Sequence, residues 1–213
     1  MAHPVVSVPA RTLLKRNLLG TVWRVESLGP EGSTWVVVER DTRSARWWLR
    51  ALARTLAARE AHILAALSRV PGVPKLDDWD GRCLRRSWLE GSPIQHAPPR
   101  DRTYFREALR LLRRLHAAGV AHNDLQREPN WLVTTEGRPA LFDFQVATRP
   151  RYRGMRFRAL ACDDLRRLLE HKRTYCPEAL TARQRAMLAR RSALAEVWVR
   201  LSKPVHAWIR AGK

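Results

Sequence analysis

Three polar side chains in one short stretch are spaced for chemistry on phosphate: Asp124 and Asn130 on one loop, and Asp143 on the next. Asp124 lies in His122-Asn123-Asp124-Leu125. Asn130 opens Asn130-Trp131-Leu132-Val133, and Asp143 stands in Leu141-Phe142-Asp143-Phe144-Gln145. Each loop adjoins a short apolar, strand-like run that would hold it. One carboxylate can accept a hydroxyl proton. An amide oxygen and a second carboxylate are hard oxygen ligands of the type Mg²⁺ prefers, and a cation there would neutralise nucleotide phosphates. The order Asp, Asn, Asp is thus a phosphoryl-transfer layout, with Asp124 as the base and Asn130 and Asp143 as the metal ligands. Taken singly these residues are ordinary solvated or capping groups; their joint order and spacing carry the argument.

The elements needed to position them are readable on either side. The stretch from Asp101 to Ala118 predicts a helix with Phe105, Leu109, Leu112 and Leu115 on one stripe, Asp101 as N-cap and Gly119 as stop. Upstream, Arg11 to Asp41 reads as strands: Leu18 to Val25, a turn at Gly29 to Ser33, then Trp35-Val36-Val37-Val38. The following helix sets Leu56, Ile63, Leu64 and Leu67 on a stripe that also contains Glu60. A carboxylate facing a core needs a cation, because an uncompensated buried charge costs several kcal/mol. Arg40, closing the valine strand, and Lys15, on the first strand, are the candidates; the alternative is that Glu60 edges the stripe and reaches water. Val70 to Leu76 ends that helix and starts a strand, and Cys83 to Gly91 reads as another strand ending in a turn.

The 213 residues allow one large domain or two lobes sharing a cleft, and 45% hydrophobic content suffices for a core. Pro93, Pro98 and Pro99 mark the boundary between differently patterned halves. We therefore expect a single domain over residues 1–213, with a first lobe at 11–91, a linker at 92–98 and a second lobe at 99–213. Three cysteines, Cys83, Cys162 and Cys176, without a C-x-x-C spacing predict small packed side chains and a reducing cytoplasm. Residues Met1 to Gly20 lack a signal-peptide core, and no run of about 18 apolar residues occurs. The net charge is +20, and 35 of the 40 basic residues are arginine. Such a field attracts polyanions, although arginine-rich composition can also leave charges merely solvated.

Beyond Asp143, residues 149–158 carry Arg149, Arg151, Arg153, Arg156 and Arg158 around Tyr152, Met155 and Phe157. Ala161 to Leu165 then opens a helix. Thr181 with Gln184 makes a capping box, followed by Met187, Leu188, Leu194, Trp198 and Leu201 at helical spacing. With Arg190, Arg191, Arg200, Lys203, Arg210 and Trp208, this tail either packs on its own domain, the favoured reading, or lies on an anionic membrane surface.

His122, Asp124, Leu125, Asn130 and Asp143 resemble the protein-kinase signature H-R-D-L-x-x-x-N…D-F-G. Asn130 stands one residue late, with Pro129 the suspected insertion, and Gln145 replaces the glycine. The thirteen-residue step from Asn130 to Asp143 is the family's own. A compact chain with Leu115-His116-Ala117-Ala118-Gly119-Val120 before the loop and no A-P-E resembles the bacterial lipopolysaccharide (Kdo/heptose) kinases, and more distantly the RIO kinases. The resemblance spans about residues 11 to 175 and is best at 115 to 145. It implies an α+β, two-lobed protein-kinase-like fold: a small antiparallel-sheet N-lobe with one helix, a mainly helical C-lobe, and no activation segment.

The resemblance also implies function. The chain would be an ATP- and Mg²⁺-dependent kinase phosphorylating a hydroxyl of a lipopolysaccharide core sugar, a similar anionic acceptor, or Ser/Thr of a protein. It would be cytoplasmic or peripheral at the inner membrane. Gly20 and Val22 would be the remnant of the glycine-rich loop, and Arg40 paired with Glu60 would replace the usual third-strand lysine on the phosphates. An acid near Asp163 or Asp164 would brace the catalytic loop. Arg151, Arg153, Arg156 and Arg158 would receive the anionic acceptor, since guanidinium forks match phosphate and carboxylate. The rivals are a pseudokinase that binds a partner, motivated by the missing lysine, the poor glycine loop and Gln145, and a basic nucleic-acid-binding protein, motivated by charge alone.

Overall fold

The computed structural model describes residues 10–28 and 34–189. They form an α+β structure in two compact units. The first is the chain up to Ser68 with Pro74–Leu89; the second is Arg69–Val73 with the chain from Glu90 onward. The sequence-derived linker at 92–98 therefore belongs to the second unit, where Ser92–Pro93 is itself a strand.

The first unit is built on a five-stranded antiparallel sheet: β1 (Ala10–Asn17), β2 (Gly20–Leu28), β3 (Thr34–Asp41), β4 (Leu76–Trp79) and β5 (Cys83–Ser87), in the order β1-β2-β3-β5-β4. Helix α1 (Arg50–Ala66) covers one face, burying Ala57 and Ala61 against Leu84. On β3, Val36-Val37-Val38 is followed by Glu39-Arg40-Asp41, and successive side chains of a strand point to opposite faces. Val38 and Arg40 therefore share a face, and Glu39 lies on the other. There Glu39 pairs with Arg11 and with Arg85, the latter at 3.3 Å.

The second unit contains a small antiparallel sheet of β6 (Ser92–Pro93), β7 (Trp131–Val133) and β8 (Pro139–Leu141), and helices α2 (Arg102–Ala117), α3 (Met155–Tyr175) and α4 (Ala182–Ala189). The predicted cap and stop of α2 are present. Asp101 accepts from Thr103 N at 2.9 Å, and Gly119 takes φ 78°, which an L side chain disfavours. On the expected stripe Phe105, Leu112 and Leu115 are buried and Leu109 is half-buried. Gly72 is held to this unit through its carbonyl, which accepts from Leu141 N.

Helix α3 begins at Met155, earlier than the expected start near Ala161, so Asp163 and Asp164 are mid-helix residues and not caps. The capping box is reciprocal: Gln184 N donates to Thr181 Oγ1, and Thr181 N donates to Gln184 Oε1. Leu188 packs with Leu169 and Leu180, so the described part of the tail is packed. Leu194, Trp198, Leu201, Trp208 and the tail arginines lie outside the described residues. Among the described residues no helix is long and apolar enough to cross a membrane.

Candidate functional site

In the second unit, β7 and β8 pair Trp131 with Leu141, and the loops at their ends bring the sequence-derived acids toward one another. Phe142 N donates to Asn130 O at 3.3 Å, so Asp143 follows directly from a residue bonded to Asn130. Asn130 is buried, and its Nδ2 donates both to the backbone oxygen of Asp124, at 2.8 Å, and to its Oδ2, at 3.0 Å. Between Asp124 and Asn130 the chain makes a 3-10 turn, Glu128–Asn130, with Pro129 in its first positions, where a missing N–H costs nothing. The turn brings Asn130 back onto Asp124.

The Asp124 carboxylate also accepts from Gln126 Nε2 at 2.7 Å and lies 3.6 Å from Arg127. Burial raises its pKa; Arg127, the Asn130 bond and His122 pull it back, and the Asp143 carboxylate pushes it up again. The net effect is a carboxylate more basic than usual. Asp143 itself takes the left-handed conformation, φ 65°, and its Oδ1 accepts from Gln145 Nε2. Asn123, at φ 66°, is the other non-glycine residue of this kind among the described residues. Its side chain holds the turn by donating to Val146 O and Thr148 Oγ1. Such backbone costs of order 1 kcal/mol and persists only where neighbours fix it.

Helix α3 does most of that fixing. Asp164 is fully buried; its Oδ2 accepts from His122 N at 2.8 Å and its Oδ1 from Asn123 N at 3.0 Å, while His116 Nε2 lies 3.0 Å from Oδ2. His122 in turn bonds Phe142 O through Nε2, at 3.0 Å, and packs against the Phe144 ring, tilted 55° to it. Its ring thereby links the two loops. His171 and Trp131 both donate to Leu125 O, at 2.7 and 3.2 Å, and Tyr175 donates to Glu128. His171 and Tyr175 escaped the reading of the sequence. Their signal was their spacing, because Asp164, Leu168, His171 and Tyr175 recur at helical intervals on one stripe of α3.

The arginines that follow are placed differently from one another. Arg153 donates to Ala117 O, closing the C-terminal end of α2, and lies over Gly119. Arg151 rests on the Tyr152 ring, 5.8 Å from its centroid. Arg156 and Arg158 are exposed in the first turn of α3.

In the first unit Glu60 is fully buried, with Arg40 at 3.6 Å and Arg86 at 3.2 Å. Arg40 is thus a partner of Glu60, and Arg86, on the same sheet face two residues along, is a second one that the sequence did not single out. Lys15 is exposed on β1. Gly20 closes the two-residue turn Leu18-Leu19, and its φ of 121° brings it against Asp41 O, where a Cβ would stand 2.2 Å away. That glycine is explained by backbone packing. Val22 is half-buried on β2.

Among the described residues no three His, Cys, Asp or Glu side chains cluster as a metal site. Asn130 and Asp143 fit a different kind of site: an Mg²⁺ arriving with phosphates needs only one or two protein oxygens. No family model matches the chain, and no curated protein matches it significantly.

Proposed function

We propose that the chain is an ATP-dependent phosphotransferase of protein-kinase-like fold acting on a hydroxyl of an anionic acceptor, a lipopolysaccharide core sugar being the favoured class. The observation that carries this reading is the buried Asn130 amide clamped onto Asp124, with Asp143 at the adjoining strand end. Asp124 orients the acceptor hydroxyl and takes its proton as oxygen attacks the terminal phosphorus and ADP leaves. The raised basicity of Asp124 suits it to that role. Asn130 Oδ1 and the Asp143 carboxylate would hold Mg²⁺, whose charge would offset that of the phosphates. His122 and Asp164 keep the loop in place.

In the first unit, Arg40 and Arg86 are assigned to nucleotide phosphates. Both guanidinium groups lie against the buried Glu60 carboxylate, at 3.6 and 3.2 Å, which orients them. Gly20 and Val22 would contribute backbone and apolar surface only. Arg151, Arg156 and Arg158 are assigned to the acceptor. Cations in the first turn of α3 oppose the helix dipole, an arrangement that an anion relieves. Arg153 is assigned to positioning, through its bond to Ala117 O.

One observation favours the second reading, a non-catalytic nucleotide or partner binder: Gln145 already occupies an oxygen of Asp143. Purified protein with Mg²⁺ and radiolabelled ATP, offered delipidated core saccharide, separates the two. Labelled saccharide supports the transferase. ATP binding without labelling, unchanged in Gln145→Gly, supports the binder.

A further inference from the structure

At the start of α1 lies a second exposed surface, apolar and basic in composition. Leu49 turns inward with Ala53 and Ala57, while the flanking residues point out: Trp47 is 80% exposed, Trp48 46% and Leu52 45%. Leu52 stands one helical turn beyond Trp48, so the three form one apolar edge. Around them Arg46, Arg50 and Arg54 are exposed, and none has a carboxylate partner among the described residues. Arg50 Nε only reaches Ala45 O, at 3.3 Å. The first turn of α1 contains no acid and its N-cap no side-chain bond. Arginines here oppose the helix dipole, and two exposed indoles beside a leucine raise the free energy of the isolated chain.

We propose that Trp47, Trp48 and Leu52, with Arg46, Arg50 and Arg54, dock the protein on an anionic phospholipid bilayer. Charge complementarity selects the partner. Between Ser44 and Ala58 there is no Asp, Glu, Asn or Gln, so the patch offers indole, aliphatic and guanidinium groups and almost nothing else. Reading a base edge calls for mixed donors and acceptors. A lipid interface calls for rings at the headgroup level, an aliphatic group just beneath them, and cations on the phosphates. The proposal does not rest on phosphoryl transfer.

The test is co-sedimentation of the full chain with phosphatidylcholine vesicles, with and without phosphatidylglycerol. The wild type binds the phosphatidylglycerol vesicles only. Trp47→Ala/Trp48→Ala weakens that binding by about tenfold or more, and Arg46→Gln/Arg54→Gln by about fivefold per arginine. Brominated acyl chains quench wild-type tryptophan fluorescence more than that of the tryptophan variant. Both variants melt like the wild type, because the altered side chains are exposed. Wild-type sedimentation of both variants, or no wild-type binding, overturns the proposal. So does tighter binding of single-stranded RNA that depends on Trp47 and Trp48, which would reassign the patch to base stacking.

Discussion

Asn130 Nδ2 donates to two oxygens of Asp124, one on the backbone and one on the side chain, at 2.8 and 3.0 Å. A single buried amide thereby fixes both the path of the loop and the rotamer of the proposed base. Asn130→Ala leaves Asp124 without this bond and lowers kcat by on the order of 100-fold, more than it changes acceptor KM, because misplacement of a catalytic group costs rate. Steady-state kinetics on the saccharide acceptor check this split.

The pH profile follows from the same carboxylate. Asp124 must be ionised to accept a proton, and burial raises its pKa while Arg127 lowers it. Activity therefore falls on the acid side, through a limb that lies above the ordinary carboxyl value. Arg127→Ala removes a stabiliser of the ionised form and moves the limb to higher pH. A limb that stays put or moves down in Arg127→Ala would show that another group sets it.

Asp164 holds the amides of His122 and Asn123 from α3. Asp164→Ala strands both donors in the interior and destabilises the protein by about 3 kcal/mol, measured by urea unfolding. Asp164→Asn keeps one acceptor oxygen and loses less. His116→Ala, which takes away a partner of Asp164 but leaves the loop amides bonded, costs less than Asp164→Ala.

Glu60 lies against two guanidinium groups, so Glu60→Ala removes the carboxylate they share and destabilises the protein by about 3–5 kcal/mol. Arg40→Ala and Arg86→Ala each cost less, since the other arginine remains. A double-mutant cycle between Glu60 and Arg40 gives a coupling of about 1 kcal/mol or more. The same cycle with exposed Lys15 gives none.

Much of this was readable before any coordinates. The helix of Arg102–Ala117, its Asp101 cap, the burial of Glu60 and the spacing of Asp124, Asn130 and Asp143 are local signals, and local signals survive in sequence. What was not readable depends on tertiary placement. Arg86 looked like any strand arginine until the register with β3 set it diagonally across from Arg40. Arg153 looked like its neighbours until its guanidinium closed α2. Gly20 looked like the relic of a phosphate loop, whereas the approach of Asp41 O explains it. Helix α3 starts at Met155 and not near Ala161, because burial of Phe157 holds its first turn, a tertiary contact that the Asp163-Asp164 signal does not carry.

The central claim is that Asp124 serves proton transfer while Asp143 serves the nucleotide. The most direct measurement sets phosphate transfer from ATP beside Mg²⁺-dependent ATP binding, in Asp124→Asn and in Asp143→Ala. We predict that Asp124→Asn loses transfer and keeps ATP binding, and that Asp143→Ala loses both, with native circular dichroism in each. Transfer at the wild-type rate by Asp124→Asn would contradict the account.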